Sequence, residues 1–453
     1  MKNYLMILIV ISSINCFSQK MPIKNWTPLF NGKNLSGWKQ LNGKASFNVV
    51  NNEIVGTTKV GEPNSFLATE KDYGDFILEL EIFNVGGTNS GIQFRSESKE
   101  DYMNGRVHGY QMEVDPSDRA WSGGVYDEAR RKWLYTLELN PTAKSAFNQN
   151  GWNKLRIEAI GNTLRTWING IPTANVVDNM TAKGFIALQV HSVGNNKTEE
   201  GKQIRWRNIN IQTENLKPSK PDQINVVNLI PNDLSAQEKS NGYSLLFDGK
   251  NVDQWRGAYK SEFPAKGWEI KNGELSVVRA DGSESTNGGD IVTKKDYGAF
   301  ELKFDFKLSE GANSGVKYFV TENEGNKGSA IGLEYQILDD EKHPDAKLGR
   351  NGNRTLGSLY DLITSDKIPA SLKKVGEWNQ GIIRVSPDNK VQYWLNGYKI
   401  LEFERGSKIF SDLVAISKYK DWPNFGMALK GHILLQDHGD KVSFRSLKIK
   451  ENK

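Results

Sequence analysis

The chain has 453 residues and a single cysteine, Cys16, inside its N-terminal stretch. Once that stretch is removed, disulfides, nucleophilic thiols and thiolate metal sites are excluded. Long hydrophobic runs are missing as well. Beyond the N-terminus no stretch reaches about 18 apolar residues, so no membrane-spanning helix is expected. A net charge of +5 with both signs scattered leaves no basic stripe of the kind a nucleic-acid partner needs. No G-x-S-x-G elbow, P-loop or H-E-x-x-H helix occurs, and serine hydrolase, NTPase and zincin chemistry have no support. Helical apolar periodicity is scarce. What abounds is glycine, with tryptophan, tyrosine and phenylalanine in short alternating runs, the composition of an all-β protein.

The first 18 residues carry Lys2, the apolar run Leu5-Met6-Ile7-Leu8-Ile9-Val10-Ile11 and the small-residue end Cys16-Phe17-Ser18. That pattern is a secretory signal peptide, 1–18, and a secreted or periplasmic protein is expected. Lipidation of Cys16 is the alternative, set against a poor lipobox in Ser13-Ile14-Asn15.

The remainder is too long for one core, so two domains of about 200 residues each are expected. The sequence repeats accordingly. Gly87-Thr88-Asn89-Ser90-Gly91 returns as Gly311-Ala312-Asn313-Ser314-Gly315, an offset of 224 residues, and Lys71-Asp72-Tyr73-Gly74 returns as Lys295-Asp296-Tyr297-Gly298 at the same offset. Each glycine-bounded stretch lies between strand-like runs and reads as a hairpin loop. Leu29-Phe30-Asn31-Gly32-Lys33-Asn34 is answered by Leu246-Phe247-Asp248-Gly249-Lys250-Asn251, and Trp167-Ile168-Asn169-Gly170 by Trp394-Leu395-Asn396-Gly397. A repeat this long is a domain duplication, not a solenoid unit. The copies span 25–212 and 241–451. Between them, 213–240 is a proline-containing linker in which Ser235-Ala236-Gln237-Glu238 has the form of a capping box and predicts one short helix. Antiparallel β-sandwiches are expected for both copies. The second carries extra stretches at 338–354 and 411–430, placed at the sandwich rim.

Strand alternation separates a core face from an open one. Leu333, Tyr335 and Ile337 point one way, Glu334 and Gln336 the other. In the first copy Tyr110, Met112 and Val114 are core-like, while Gln111, Glu113 and Asp115 share the opposite face. The last strands add Gln189 and His191, or Gln436 and His438; the strand after the repeated stretch adds Gln93 and Arg95, or Lys317. An outer face is polar simply by being wet. Recurrence of carboxylate, amide and histidine in both copies argues instead for function. Trp167 and Trp394 read as core packing before sugar platform. Arg130, with Arg131, is either a solvated pair or an anion clamp. The acidic loop 339–345 offers Asp339, His343 and Asp345 as a weak ligand set for a divalent metal, an acidic turn without metal being the alternative.

These motifs resemble the 3-keto-disaccharide hydrolase domain family, formerly a domain of unknown function, over nearly all the mature chain and twice. The resemblance rests on the Leu-Phe-x-Gly-Lys-Asn opening, the Asn-Ser-Gly stretch, Glu377-Trp378-Asn379, Trp394-Leu395-Asn396-Gly397 and the closing Leu435-Gln436-Asp437-His438-Gly439. It implies two tandem concanavalin A-like jelly-roll sandwiches acting on glycosides oxidised at the sugar 3-position, with a small-molecule carbohydrate as partner. Lectin-like binding modules on the same fold are the alternative. An enzyme of this kind needs one base and something positive to hold an enolate oxygen. The second copy is expected to use Glu334 or His438 as base, with Lys317 or a metal as electrophile. The first copy, expected to be secondary, offers Glu113 or His191 with Arg95. Substrate contacts are expected from Gln336, Gln436, Tyr360 and Asn313, and from Gln111, Gln189, Tyr126 and Arg130.

Overall fold

The computed structural model describes residues 26–280, 283, 285–322 and 330–452. The signal-peptide expectation for 1–18 lies outside these residues. Short alternating runs become strands throughout, and two sandwiches follow one another along the chain. In the first, a nine-stranded sheet centred on Asn153–Ile160, Phe76–Phe83 and Gln203–Gln212 packs against a seven-stranded one. The smaller sheet runs Lys132–Tyr135, Val125–Glu128, His108–Val114, Ser90–Glu97, Phe185–Val190, Ser65–Thr69, Trp38–Asn42. In the second, an eight-stranded sheet centred on Val442–Glu451, Phe300–Leu308 and Asn379–Val385 faces a five-stranded one. That five-stranded sheet runs Trp255–Gly257, Ile291–Thr293, His432–Leu435, Asn313–Thr321, Ile331–Leu338. Neighbours along these sheets are antiparallel, apart from one parallel edge pairing of Ile171–Val177 with Val227–Asn228. The fold is all-β, two tandem jelly-roll sandwiches.

Alternation decides which residues fill each core. Tyr110, Met112 and Val114, like Leu333, Tyr335 and Ile337, are fully buried between the sheets. Burying an aliphatic side chain of this size contributes roughly 1.5–3 kcal/mol. Two Asn-Gly pairs close tight hairpins. Asn169 and Gly170 have φ of 51° and 82°, Asn396 and Gly397 of 50° and 84°, the doubly left-handed geometry that suits the twist of flanking strands.

The repeated glycine-bounded stretch is not a hairpin loop. Phe76–Phe83 belongs to the larger sheet and Ser90–Glu97 to the smaller, and the same holds for Phe300–Leu308 and Asn313–Thr321. The chain crosses from sheet to sheet here, and Ser90-Gly91 and Asn313-Ser314-Gly315 are already strand. Turn-forming residue types concealed this, because each side chain has a use within the sheet. Ser90 Oγ donates to the Gln189 carbonyl at 2.7 Å and Ser314 Oγ to the Gln436 carbonyl at 2.8 Å, riveting neighbouring strands.

The linker is fastened down. Helix Ala236–Ser240 starts at Ser235 with a complete capping box. Its Glu238 is buried, accepts from Asn228 and pairs with Lys448 Nζ at 3.1 Å. Arg165 of the first sandwich donates to the Ser219 and Lys220 carbonyls, and Lys303 of the second to the Val226 carbonyl. The tip of the Asn396-Gly397 hairpin reaches the first sandwich, where Thr136 Oγ1 donates to the Gly397 carbonyl and Tyr398 packs on Trp121. Among the described residues no helix is long and apolar enough to cross a membrane.

Candidate active site and its counterpart

The smaller sheet of each sandwich turns one face away from the core, and strand register decides what stands on it. In the second sandwich Lys317 is directly opposite Glu334, and Gly315 opposite Gln336. The Tyr360 amide donates to the Glu334 carbonyl at 3.1 Å, which extends the row to Lys317, Glu334, Tyr360. Gly315 has a spatial role. A Cβ there would collide with Oε1 of Glu334, so the carboxylate lies folded over the glycine. Only 4% of Glu334 is exposed: the residue stands in a cleft and not in open water. Lys317 Nζ lies 3.8 Å from Asp290 Oδ2 at the same floor.

One wall of the cleft is built by the two extra stretches. Tyr360 donates its hydroxyl to Asp345 Oδ2 at 2.9 Å, and Asp345 is paired with Arg354 at 3.0 Å. Arg354 also holds Asp361 at 2.7 Å, and Lys418 brings its ammonium to 4.2 Å from the Tyr360 ring. Burial, with the charge of Glu334 nearby, raises the Tyr360 pKa and keeps the phenol protonated. Arg354, Lys418 and Asp290 were not singled out by sequence reasoning. The signal that could have found the first two was the pair of rim insertions that carry them.

At the rim, ligand atoms of His343, His438 and Asp440 lie within 4.8 Å of one another. The two imidazoles stand nearly perpendicular, their centroids 5.8 Å apart. His343 Nδ1 accepts from the Asp345 amide, and burial beside His438 lowers its pKa. Asp440 Oδ2 accepts from the Asn313 amide at 3.1 Å. The metal set expected from the loop therefore changes. Asp339 spends its oxygens on the amides of Gly311, Glu341 and Lys342, anchoring the loop, and Asp345 is committed to Arg354 and Tyr360. Only His343 of that set reaches the cluster. Among the described residues, Asn313 Oδ1, Gln336 Oε1 and His438 Nδ1 are buried here without a hydrogen-bond partner. Gln436 continues the row of Gly315, to whose carbonyl its amide donates.

The first sandwich repeats the positions with different groups. Gln93 stands where the second has Lys317, and a chain of hydrogen bonds runs Ser96 to Gln93 to Gln111 to Glu113, with Asn89 donating to Glu113 from the other side. Burial raises the Glu113 pKa to about 7, against the two amide donors that favour its ionised form. Tyr126 is opposite Gln111, and Trp133 opposite Tyr126. His191 bonds through Nδ1 to the Ser192 carbonyl.

Two expected groups do not join this cluster. Arg95 sits at a bulge with φ of 45°, and its guanidinium turns to Asp75 and to the carbonyls of Gly74 and Gly161. Arg130 and Arg131 are ion-paired and not a solvated pair. Both bind the fully buried Asp127, and Arg130 adds Thr181, Arg131 adds Asp178. Trp167 and Trp394 lie in the larger sheets under Arg165 and Arg384.

A family model described as the 3-keto-alpha-glucoside-1,2-lyase-like domain matches residues 25–212 and again 242–450. A 3-keto-disaccharide hydrolase of Bacteroides thetaiotaomicron is 35% identical over 232 residues, 47% of this chain and 79% of that protein. A Parabacteroides distasonis protein known from a crystal structure, described there only provisionally as a glycosyl hydrolase, is 30% identical. It covers 49% of this chain and 100% of its own, with a TM-score of 0.43. The carbohydrate-binding module CBM66 of Bacillus subtilis is 18% identical, covering 40% of this chain and 97% of its own, with a TM-score of 0.27. With both halves matched by one family model, the chain belongs to the 3-keto-alpha-glucoside-1,2-lyase-like domain family and carries that domain twice.

Proposed function

We propose that the second sandwich cleaves glycosides whose sugar carries a ketone at C3. The observation that carries this reading is the pairing of Glu334 with Lys317 across the floor of one cleft. A ketone at C3 acidifies the C2 proton. Glu334 takes that proton, and the electron pair moves into the C2–C3 bond as the carbonyl oxygen becomes an enolate. Lys317 offers the positive charge that an enolate oxygen needs, in a cleft where low dielectric strengthens the contact. The enolate collapses, the C1–O bond breaks, and its pair leaves on the aglycone oxygen, which takes up a proton. The C1–C2 alkene then takes the hydroxyl of a water molecule at C1 and that water's remaining proton at C2, and the two steps sum to hydrolysis. Two carboxylates flanking an oxocarbenium ion are not required. The names borne by the family model and by the Bacteroides relative support the substrate class, a 3-keto glycoside.

The test is release of a chromogenic aglycone from a 3-keto-glucoside by the full mature chain, with divalent metals supplied, alongside deuterium uptake at C2 in heavy water. Aglycone release with exchange at C2 is expected. An inert protein, or cleavage of the unoxidised glucoside at equal rate, would remove the reading.

The rim cluster is suited to a divalent cation. Two imidazoles and one carboxylate are a donor set for zinc or manganese, and His438 Nδ1 is buried without a partner. A cation there would supply a second positive charge beside the sugar ring. Chain dialysed against zinc or manganese should retain about one ion, and His438→Ala should retain none. Equal metal content in the two proteins would refute the site.

A further inference from the structure

We propose that the outer face of the smaller sheet of the first sandwich is a second carbohydrate site, one that binds sugars with their 3-hydroxyl intact and does not cleave them. Two adjacent rows of side chains cross this face. One runs Ala68, Ala187, Gln93, Gln111, Tyr126, Trp133; the other runs Leu41, Phe66, Gln189, Gly91, Glu113. The face is therefore apolar at one end, amide-lined in the middle and aromatic at the other, the mixture that holds sugars. Tyr126 and Trp133 meet edge to face at 5.3 Å and are only half-buried, so their rings border the amide floor. At the opposite end a cavity of about 480 Å³ opens over Phe66, between Asn42, Asn64, Asn104 and Arg106.

What singles the face out is Gln189. It is fully buried, flanked by Phe66 and Gly91, and among the described residues neither its amide nitrogen nor its oxygen has a partner. Asn89, whose amide nitrogen donates to Glu113, leaves its Oδ1 without a partner among the described residues. A buried polar group left unsatisfied costs about 1–3 kcal/mol. A molecule presenting adjacent donor and acceptor hydroxyls satisfies both ends of one amide at once, as a pyranose does. The same face is unsuited to the lyase step. Gln93 replaces Lys317, Arg95 is turned to Asp75, Val193 follows His191 where Asp440 follows His438, and His343 has no counterpart. Donors and acceptors remain, and the charge for an enolate is gone. This assignment goes beyond the reading of the second sandwich and does not depend on it.

The experiment uses the full mature chain with Glu334→Gln, titrated calorimetrically with a panel of unoxidised disaccharides, so that turnover in the second sandwich plays no part. At least one disaccharide should bind, one per chain. Gln189→Ala added to that chain should weaken binding about tenfold or more, the loss expected for a doubly bonded amide. Should that variant fail to fold, Tyr126→Ala carries the same expectation at a half-buried position. Three outcomes overturn the proposal: no binding by any member of the panel, binding indifferent to both variants, or cleavage of a 3-keto-glucoside that survives Glu334→Gln and is lost with Glu113→Gln. The first two leave open whether the unmodified chain cleaves a keto sugar; the third would move that activity to the first sandwich.

Discussion

Glu334 and Glu113 occupy neighbouring register positions on equivalent strands, and their surroundings give them different work. Glu334 faces a lysine; Glu113 faces two amides. Replacing Glu334 by Gln removes a positioned base, and turnover of a keto-glucoside should fall by about 10²–10⁴-fold. Glu113→Gln should leave that rate within a few-fold, by steady-state assay of both variants. The amide form of residue 113 instead reads out in stability. The folded pKa of about 7 exceeds the ordinary 4.5, so the folded protein binds the extra proton between those values. Stability from this group is complete below about pH 4.5 and is lost as pH rises through 7, by on the order of 2–3 kcal/mol. Melting curves should show wild type losing ground to Glu113→Gln between pH 5 and 8. Parallel curves across that range would contradict the shift.

At the scale of single elements, the strand carrying Gly315 makes a sharper prediction. Its φ is not left-handed, so alanine introduces no backbone strain, and the clash falls on the movable end of Glu334. Gly315→Ala should keep its thermal midpoint and lose about 10²-fold or more in kcat, as misplacement of a catalytic group does. A fall in midpoint with kcat preserved would show that Glu334 does not lie over the glycine. The same elements explain what could be read beforehand. Period-two alternation placed Glu334, Gln336, Gln111 and Glu113 off the core, because burial of Tyr335 or Met112 within one strand decides it. Alternation fails where a strand bulges. The register shift after Phe94 rotates Arg95 out of the row, and no local pattern announces it. The rim cluster was half visible for a different reason: His343 meets His438 and Asp440 across about a hundred residues of chain, a contact only tertiary packing creates. Asn-Ser-Gly reads as a loop in the sequence because turn propensity and close packing favour the same residue types.

Over the whole molecule, the linker behaves as part of the structure. Glu238 is buried against Lys448, and Lys303 and Arg165 bind its carbonyls. Glu238→Ala would strand Lys448 as a buried charge, at a cost of about 3–5 kcal/mol. For domains of this size that lowers the thermal midpoint by on the order of 10 °C, measurable by calorimetry. Substituting 219–240 with a Gly-Ser segment of equal length should do at least as much. A mere tether would tolerate both changes.

The glycine beneath each cleft also bears on how duplicated genes diverge. Glycine and alanine codons differ by one base, and in either copy that base decides whether a side chain can lie across the sheet. The core beneath is built from the opposite face of the same strands, so it does not register the change. A copy can thus be silenced, or redirected to another ligand, in one mutational step that leaves its folding intact. Selection on folding alone would not remove such a copy, and both halves can persist in the gene while only one remains under selection for chemistry.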